Sequence, residues 1–160
     1  MLMQVSMGPF KINVDDGADI RRLAVSAVAI MFEHHGHALC NPPLPPPRVI
    51  LSSIIARLSD KSHDVLLAAH ALFSKMCRVQ SFLDLVQTDL LADVCAQLSQ
   101  PLADVAKEGA AQNEKDAFDA RRRAAAAAVK ALAEVLPAAA LQTQVVVELL
   151  GSDAYAKAGT

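Results

Sequence analysis

The residues best equipped for chemistry gather in one short stretch, "EHHGHALC", which holds Glu33, His34, His35, His37 and Cys40. Imidazole and thiolate are ordinary zinc ligands, but a structural zinc site takes them as two spaced pairs that close a tetrahedron. Here all the candidates fall at one helix end, and elsewhere the chain offers only His63, His70 and isolated cysteines. Imidazoles at a helix C-terminus also cap carbonyls and meet the negative end of the helix dipole favourably. The expectation is therefore capping, with no metal and no cofactor.

Cys40, Cys77 and Cys95 are widely separated and odd in number, which suits small buried hydrophobes in a reducing compartment. A cysteine nucleophile needs a histidine base beside it, whereas Cys77 and Cys95 sit within apolar helical stripes. The sequence shows no glycine-rich phosphate loop, no serine elbow and no carboxylates paired for acid–base work. It reads as a non-enzyme without a small-molecule substrate. Arg121-Arg122-Arg123, with Lys115 and Lys130, make one helix locally basic. Such a run is a solvated face or, functionally, a contact for an acidic partner.

The elements that must position these residues follow from composition. At 160 residues the chain fits one domain, or one block of a larger array. Hydrophobic residues make up 53% and aromatics only 4%, a bias towards Ala, Leu and Val that suits close-packed helices better than a β-sandwich. A formal charge of −2 argues against nucleic acid as the main partner. No apolar run reaches about 18 residues without polar interruption, and no basic signal-peptide flank opens the chain, so no membrane partner is expected.

The chain opens with alternation rather than helical spacing. Met1, Met3, Val5 and Met7 alternate with Leu2, Gln4 and Ser6; Phe10, Ile12 and Val14 alternate with Lys11 and Asn13, about a Gly8-Pro9 turn. This predicts a β-hairpin over 1–15. A first helix is expected over 16–35, with Asp16 as N-cap, Gly36 ending it, and Ile20, Leu23, Ala24, Ala27, Val28 and Met31 as its inward stripe. The proline-rich segment Asn41 to Pro47 forms a stiff connector that no helix crosses. Further helices follow over 48–58, with Val49, Leu51, Ile54, Ile55 and Leu58 inward, and over 63–78, N-capped by Ser62. Others are expected over 82–103, irregular near Thr88, over 114–135 and over 138–150, with 151–160 a flexible tail.

The starts of the first, third and fifth helices superpose. Asp19-Ile20-Arg21, Asp64-Val65-Leu66 and Asp119-Ala120-Arg121 are 45 and 55 residues apart, in the manner of helix-pair arrays. The fold class expected is all-α: three HEAT-like helix pairs over 16–150, stacked as a solenoid behind the hairpin.

One stretch carries a more specific signal. Met7-Gly8-Pro9-Phe10-Lys11, Val14-Asp15-Asp16-Gly17 and Asp19-Ile20-Arg21 closely resemble the start of the C-terminal domain of the cullin-associated and neddylation-dissociated HEAT-repeat family. That domain is also called TATA-binding-protein-interacting. "NEKDAFDARRRAAAAAVKAL", Asn113 to Leu132, echoes a charged, then basic and Ala-rich helix of the same domain. The sequence departs from the family at Val25, where a larger aromatic is usual, and in its proline connector.

The resemblance implies the C-terminal end of a longer solenoid, with Met1 already inside the first strand. It also implies a partner: the N-terminal region of a cullin carrying no ubiquitin-like modifier, bound in competition with a substrate-receptor adaptor, in cytoplasm and nucleus. Val5, Met7, Gly8, Pro9, Phe10, Lys11 and Ile12 would make the contact, because an exposed apolar hairpin invites docking. The alternatives are a transcription-assembly scaffold that binds a TATA-binding protein, and a purely structural solenoid cap.

Overall fold

Strands β1 (Leu2–Met7) and β2 (Phe10–Asp15) pair antiparallel, from Leu2 opposite Asp15 to Met7 opposite Phe10. They belong to a computed structural model that describes residues 2–7, 10–15, 17–35 and 45–158. Beyond Asp15 all the described elements are helical: α1 (Ala18–His35), α2 (Pro47–Ile55), α3 (His63–Met76) and α4 (Gln80–Leu85) come first. A π turn (Val86–Leu90), α5 (Leu91–Ala103), α6 (Gln112–Val135), α7 (Ala138–Leu141), α8 (Gln144–Leu150) and α9 (Asp153–Ala158) follow. Asp16, Gly36 and most of the proline connector lie outside the described residues.

The helices stack in two layers. In one, α1 packs on α3 and α3 on α6; in the other, α2 packs on α4 and α5, and α5 on α8. This is the arrangement of a helical solenoid, in which each element touches mainly its neighbours. The superposable helix starts at Asp19, Asp64 and Asp119 thus belong to helices stacked side by side.

Helix α3 is the centre of the core. Val65, Leu66, Ala69, Leu72, Phe73 and Met76 are all buried, and the last four share one core cluster with Leu51, Ile54, Ile55 and Leu58 from α2 and the turn after it. Pro47 opens α2 behind Pro46, whose φ of −52° and ψ of 140° are polyproline-like, because a proline at the first helical position loses no hydrogen bond. The π turn falls where irregularity was expected near Thr88. There the Thr88 hydroxyl donates to the Asp84 carbonyl at 2.9 Å, a back-bond that competes with the helix ladder. Gly109 turns the chain into α6 at φ +81°, a conformation open to glycine without steric cost.

Four expectations need correction. The inward stripe of α1 is rotated: Val25 is its one fully buried residue and Val28, Ala29 and Phe32 pack partly against the core. Ile20 and Leu23 are 70% and 62% exposed, Ile30 and Met31 are exposed too, and so are Ala24 and Ala27. In α2, Val49 likewise points outward. The reason in α1 is that apolar residues occupy nearly its whole circumference, so periodicity alone does not choose the buried side.

The expected last helix is broken. Thr143, with ψ of 141°, separates α7 from α8, and its hydroxyl donates to the Ala140 carbonyl at 2.7 Å. The expected flexible tail is instead helical over Asp153–Ala158. The Ser152 hydroxyl oxygen accepts the Tyr155 N–H at 3.2 Å, and Ala154, Tyr155 and Ala158 lie against the core. Packing on α5 and α6 holds six residues that propensity alone leaves unfolded.

Candidate partner-binding site

In an antiparallel ladder, opposed residues share a face and successive pairs alternate. The register opposes Met3 to Val14, Val5 to Ile12 and Met7 to Phe10, with Gln4 opposite Asn13 and Ser6 opposite Lys11 between them. Of the expected contact residues, Val5 pairs with Ile12, Met7 with Phe10 and Lys11 with Ser6 in the strand register. Gly8 and Pro9 lie outside the described residues. No third strand flanks the ribbon among the described residues, and a lone two-stranded hairpin is marginal in water.

The ribbon is tied to the helices where it ends. Asp15, the last residue of β2, accepts the Gly17 N–H at 3.2 Å and both terminal nitrogens of Arg21, Nη1 at 3.1 Å and Nη2 at 2.5 Å. The same guanidinium turns its other edge to Asp60, donating from Nε at 2.9 Å and from Nη2 at 3.0 Å. Asp60 stands in the turn between α2 and α3 with its side chain 3% exposed. It also accepts Arg57 Nη1 at 3.1 Å and the Ser62 N–H at 3.0 Å, and the Ser62 hydroxyl itself makes no capping bond. One planar fork thus grips two carboxylates, each through two N–H donors, a geometry that lysine's point-like ammonium does not offer.

The electrostatics of this cluster follow from its geometry. The Arg21 guanidinium holds the Asp15 carboxyl below its usual range. Burial works against the charge on Asp60, but Arg21, the Ser62 N–H and Arg57 outweigh it, and its pKa is lowered as well. Asp15 and Arg21 stand out in the sequence only through the family resemblance, and nothing local marks Asp60. The available signal was the Asp-x-Arg start shared by α1 and α6.

In α6 the equivalent residue, Arg121, does the parallel job. Its guanidinium donates to the Lys61 and Asp60 carbonyls at 3.1 and 3.3 Å and to Asp104 Oδ2 at 3.2 Å, and it stands over the Phe118 ring. Of the basic run, then, Arg121 is an internal clamp, with a side chain 14% exposed, rather than a solvated face. Arg122 lies 3.8 Å from Asp119, and Arg123 is exposed.

The other chemistry-bearing residues do not converge. His34 and His35 are exposed at the end of α1 with tilted rings, Glu33 pairs with Lys75, and His37 and Cys40 lie outside the described residues. Among the described residues no group of three His, Cys, Asp or Glu could hold a metal ion. Cys77 and Cys95 are buried, and burial pushes their thiols up to about 12 and about 11, far from a thiolate at neutral pH. An apolar recess of about 380 Å³ between α5 and α8 has Cys95 as its one thiol among small side chains such as Ala92, Ala96 and Ser99. No helix among the described residues is long and apolar enough to cross a membrane.

Set against known families, residues 1–152 match the model of the TIP120 family, described as TATA-binding protein interacting (TIP20). The chain belongs to the TIP120 family. The match runs from the hairpin through α8, so the ribbon, the Arg21 cluster and both helical layers all lie within this TIP120 domain. No curated protein gave a match. A domain of this family is suited to act as a protein-interaction scaffold, and its helical layers supply the frame for one.

Proposed function

We propose that this chain is a non-catalytic module that docks on the N-terminal region of a cullin free of ubiquitin-like modifier. The hairpin takes ground that a substrate-receptor adaptor would otherwise occupy, so the module contributes to receptor exchange in cullin–RING ubiquitin ligases in the cytoplasm and nucleus. The observation that supports this reading is the ribbon: its register pairs Val5 with Ile12 and Met7 with Phe10, apolar residue opposite apolar residue, with no neighbouring strand among the described residues. Unpaired edges and apolar faces of this kind are managed in stable proteins by covering them.

In the same reading the helices are three HEAT-like pairs: α1 with α2, α3 with α4–α5, and α6 with α7–α8. The outward row Ile20, Leu23, Ile30 and Met31 on α1 then serves as the seat of a further pair in a longer solenoid. The family description favours a second reading, in which the partner is a TATA-binding protein.

Titrating the chain against a purified cullin N-terminal domain and, in parallel, a TATA-binding protein separates the two. The cullin reading expects saturable binding to the cullin alone, with an apparent Kd that rises as adaptor is added. Binding to the TATA-binding protein alone, or cullin binding indifferent to adaptor, contradicts it.

A further inference from the structure

Helices α5 and α8 pack on each other, and the apolar recess between them is a trough that follows their length. Its lining runs along α5 from Ala92 through Ala96 and Ser99 to Ala103, and along α8 from Val145 through Glu148 to Ser152. The α5 row is spaced four, three and four residues apart, the spacing of a single seam on a helix, and covers about 17 Å at 1.5 Å per residue. All four of its residues are small and exposed. Buried Cys95, Leu102 and Leu149 make the floor.

The trough offers almost no polar surface. The Ser99 hydroxyl donates to the Ala96 carbonyl and the Ser152 hydroxyl to the Leu149 carbonyl, each at 2.8 Å, so both are engaged within their own chain segments. Glu148 is the only charged residue among the described residues that line it. Its carboxylate accepts Gln144 Nε2 at 2.7 Å, a neutral donor that does not balance its charge. Helix α9 shows what packs on this surface. It lies against α5, α6 and α8, sets Ala154 and Ala158, one turn apart, against the core, and lends Ala154 to the wall of the trough. A short helix presenting small side chains is thus already seated at one side, and the α5 row shares that seat.

We propose that the trough is a docking site for one α-helix of a partner protein, about three turns long. The helix lays apolar side chains at four–three–four spacing against the α5 row and places a lysine or arginine beside Glu148. Small residues let two helix axes approach to about 8 Å, and apolar anchors at this spacing are how an amphipathic helix reads a groove. The site stands independently of the hairpin and of what the hairpin binds.

The probe is a lactam-stapled helical peptide of about 14 residues, four turns, with leucines at that spacing and one lysine beside them. A second peptide carries glutamate in place of the lysine. Alanine-methyl NMR of the full chain reads site and affinity together. The lysine peptide should shift the Ala92, Ala96 and Ala103 methyls saturably, and leave the exposed Ala24 and Ala27 of α1 in place. Glu148→Lys should weaken it about two- to fivefold, the scale of an exposed ion pair, and strengthen the glutamate peptide by a similar factor. Ala96→Gln fills the trough from an exposed position and should weaken both peptides about tenfold, the loss of one anchor contact, while the melting temperature holds. Should Ala96→Gln unfold the chain, the charge swap at Glu148 still decides.

No saturable shift at the α5 alanines, shifts centred on Ala24 and Ala27, or affinities indifferent to the swap at Glu148 overturn the proposal. So do α5 methyl shifts that grow with protein concentration before peptide is added, which make a second copy of the chain the occupant. Shifts produced equally by benzene overturn it too, since the trough would then be a small-molecule site.

Discussion

Helices α1 and α3 begin alike, each with an aspartate in its first turn and apolar residues beside it, yet they end up in different surroundings. Helix α3 buries seven residues, Val65 to Met76, while α1 fully buries only Val25. Composition does not explain this. Helix α3 has α1 on one side and α6 on the other, whereas α1 has α3 on one side and an outer face of Ile20, Leu23 and Ile30 that the described residues leave open. Place in the stack decides burial, and a helix apolar all round is normally covered all round. The contrast makes α1 the helix with an open apolar face among the described residues, and it is also the helix that follows the hairpin.

The sharpest way to break the comparison is truncation in α3. Leu72 is 1% exposed, so Leu72→Ala should cost about 2–5 kcal/mol in urea unfolding, by lost transfer energy and a residual cavity. Leu23→Ala in α1 should stay within about 0.5 kcal/mol, as surface changes do. Equal costs at the two positions would abolish the distinction.

His70 sharpens it further, because α1 has no counterpart. It lies within the apolar stripe of α3, 2% exposed, and neither ring nitrogen has a hydrogen-bond partner in good geometry. Burial pushes its pKa down to about 4, with Arg121 adding to the effect and the Leu58 backbone opposing it. The unfolded chain takes up this proton near pH 6.5, the folded one only near 4. Between those values the unfolded state holds more protons, so stability should fall as pH drops through the window, by about 3 kcal/mol in all. His70→Leu should flatten the stability profile between pH 6.5 and 4; a profile that keeps its slope would place the titration elsewhere.

The smallest expected effect is on α1's outer face. Ile20→Gln, Leu23→Gln and Ile30→Gln should each change unfolding free energy by no more than about 0.5 kcal/mol, while lowering concentration-dependent light scattering. A large loss of stability would mean that this face is part of the folded core.

The same contrast shows what could be read from residues alone. The buried face of α3 was legible because its apolar positions recur at helical spacing against polar ones. That of α1 was not, because Ile20, Leu23, Val25, Val28, Ile30 and Phe32 ring the helix and only a neighbour selects among them. The ribbon's alternation and its Gly-Pro turn made the two strands legible, and the strands pair antiparallel as expected. The Arg21 cluster was hidden, since Asp60 is 39 residues away in sequence and no local rule pairs them. Helix α9 escaped notice for a related reason: its order comes from contacts with α5 and α6, not from its own residues.

The central claim is that the hairpin's apolar face is where the partner docks. It is tested most directly by measuring the cullin affinity of Phe10→Ala beside its melting temperature. Truncating an aromatic anchor commonly costs about 2 kcal/mol of binding or more. The mutant should therefore melt with the wild type and bind the cullin N-terminal domain roughly thirtyfold more weakly, the equivalent of about 2 kcal/mol. A mutant that folds, binds and competes with adaptor as the wild type does would contradict the claim, and so would one that unfolds, since Phe10 would then belong to the core.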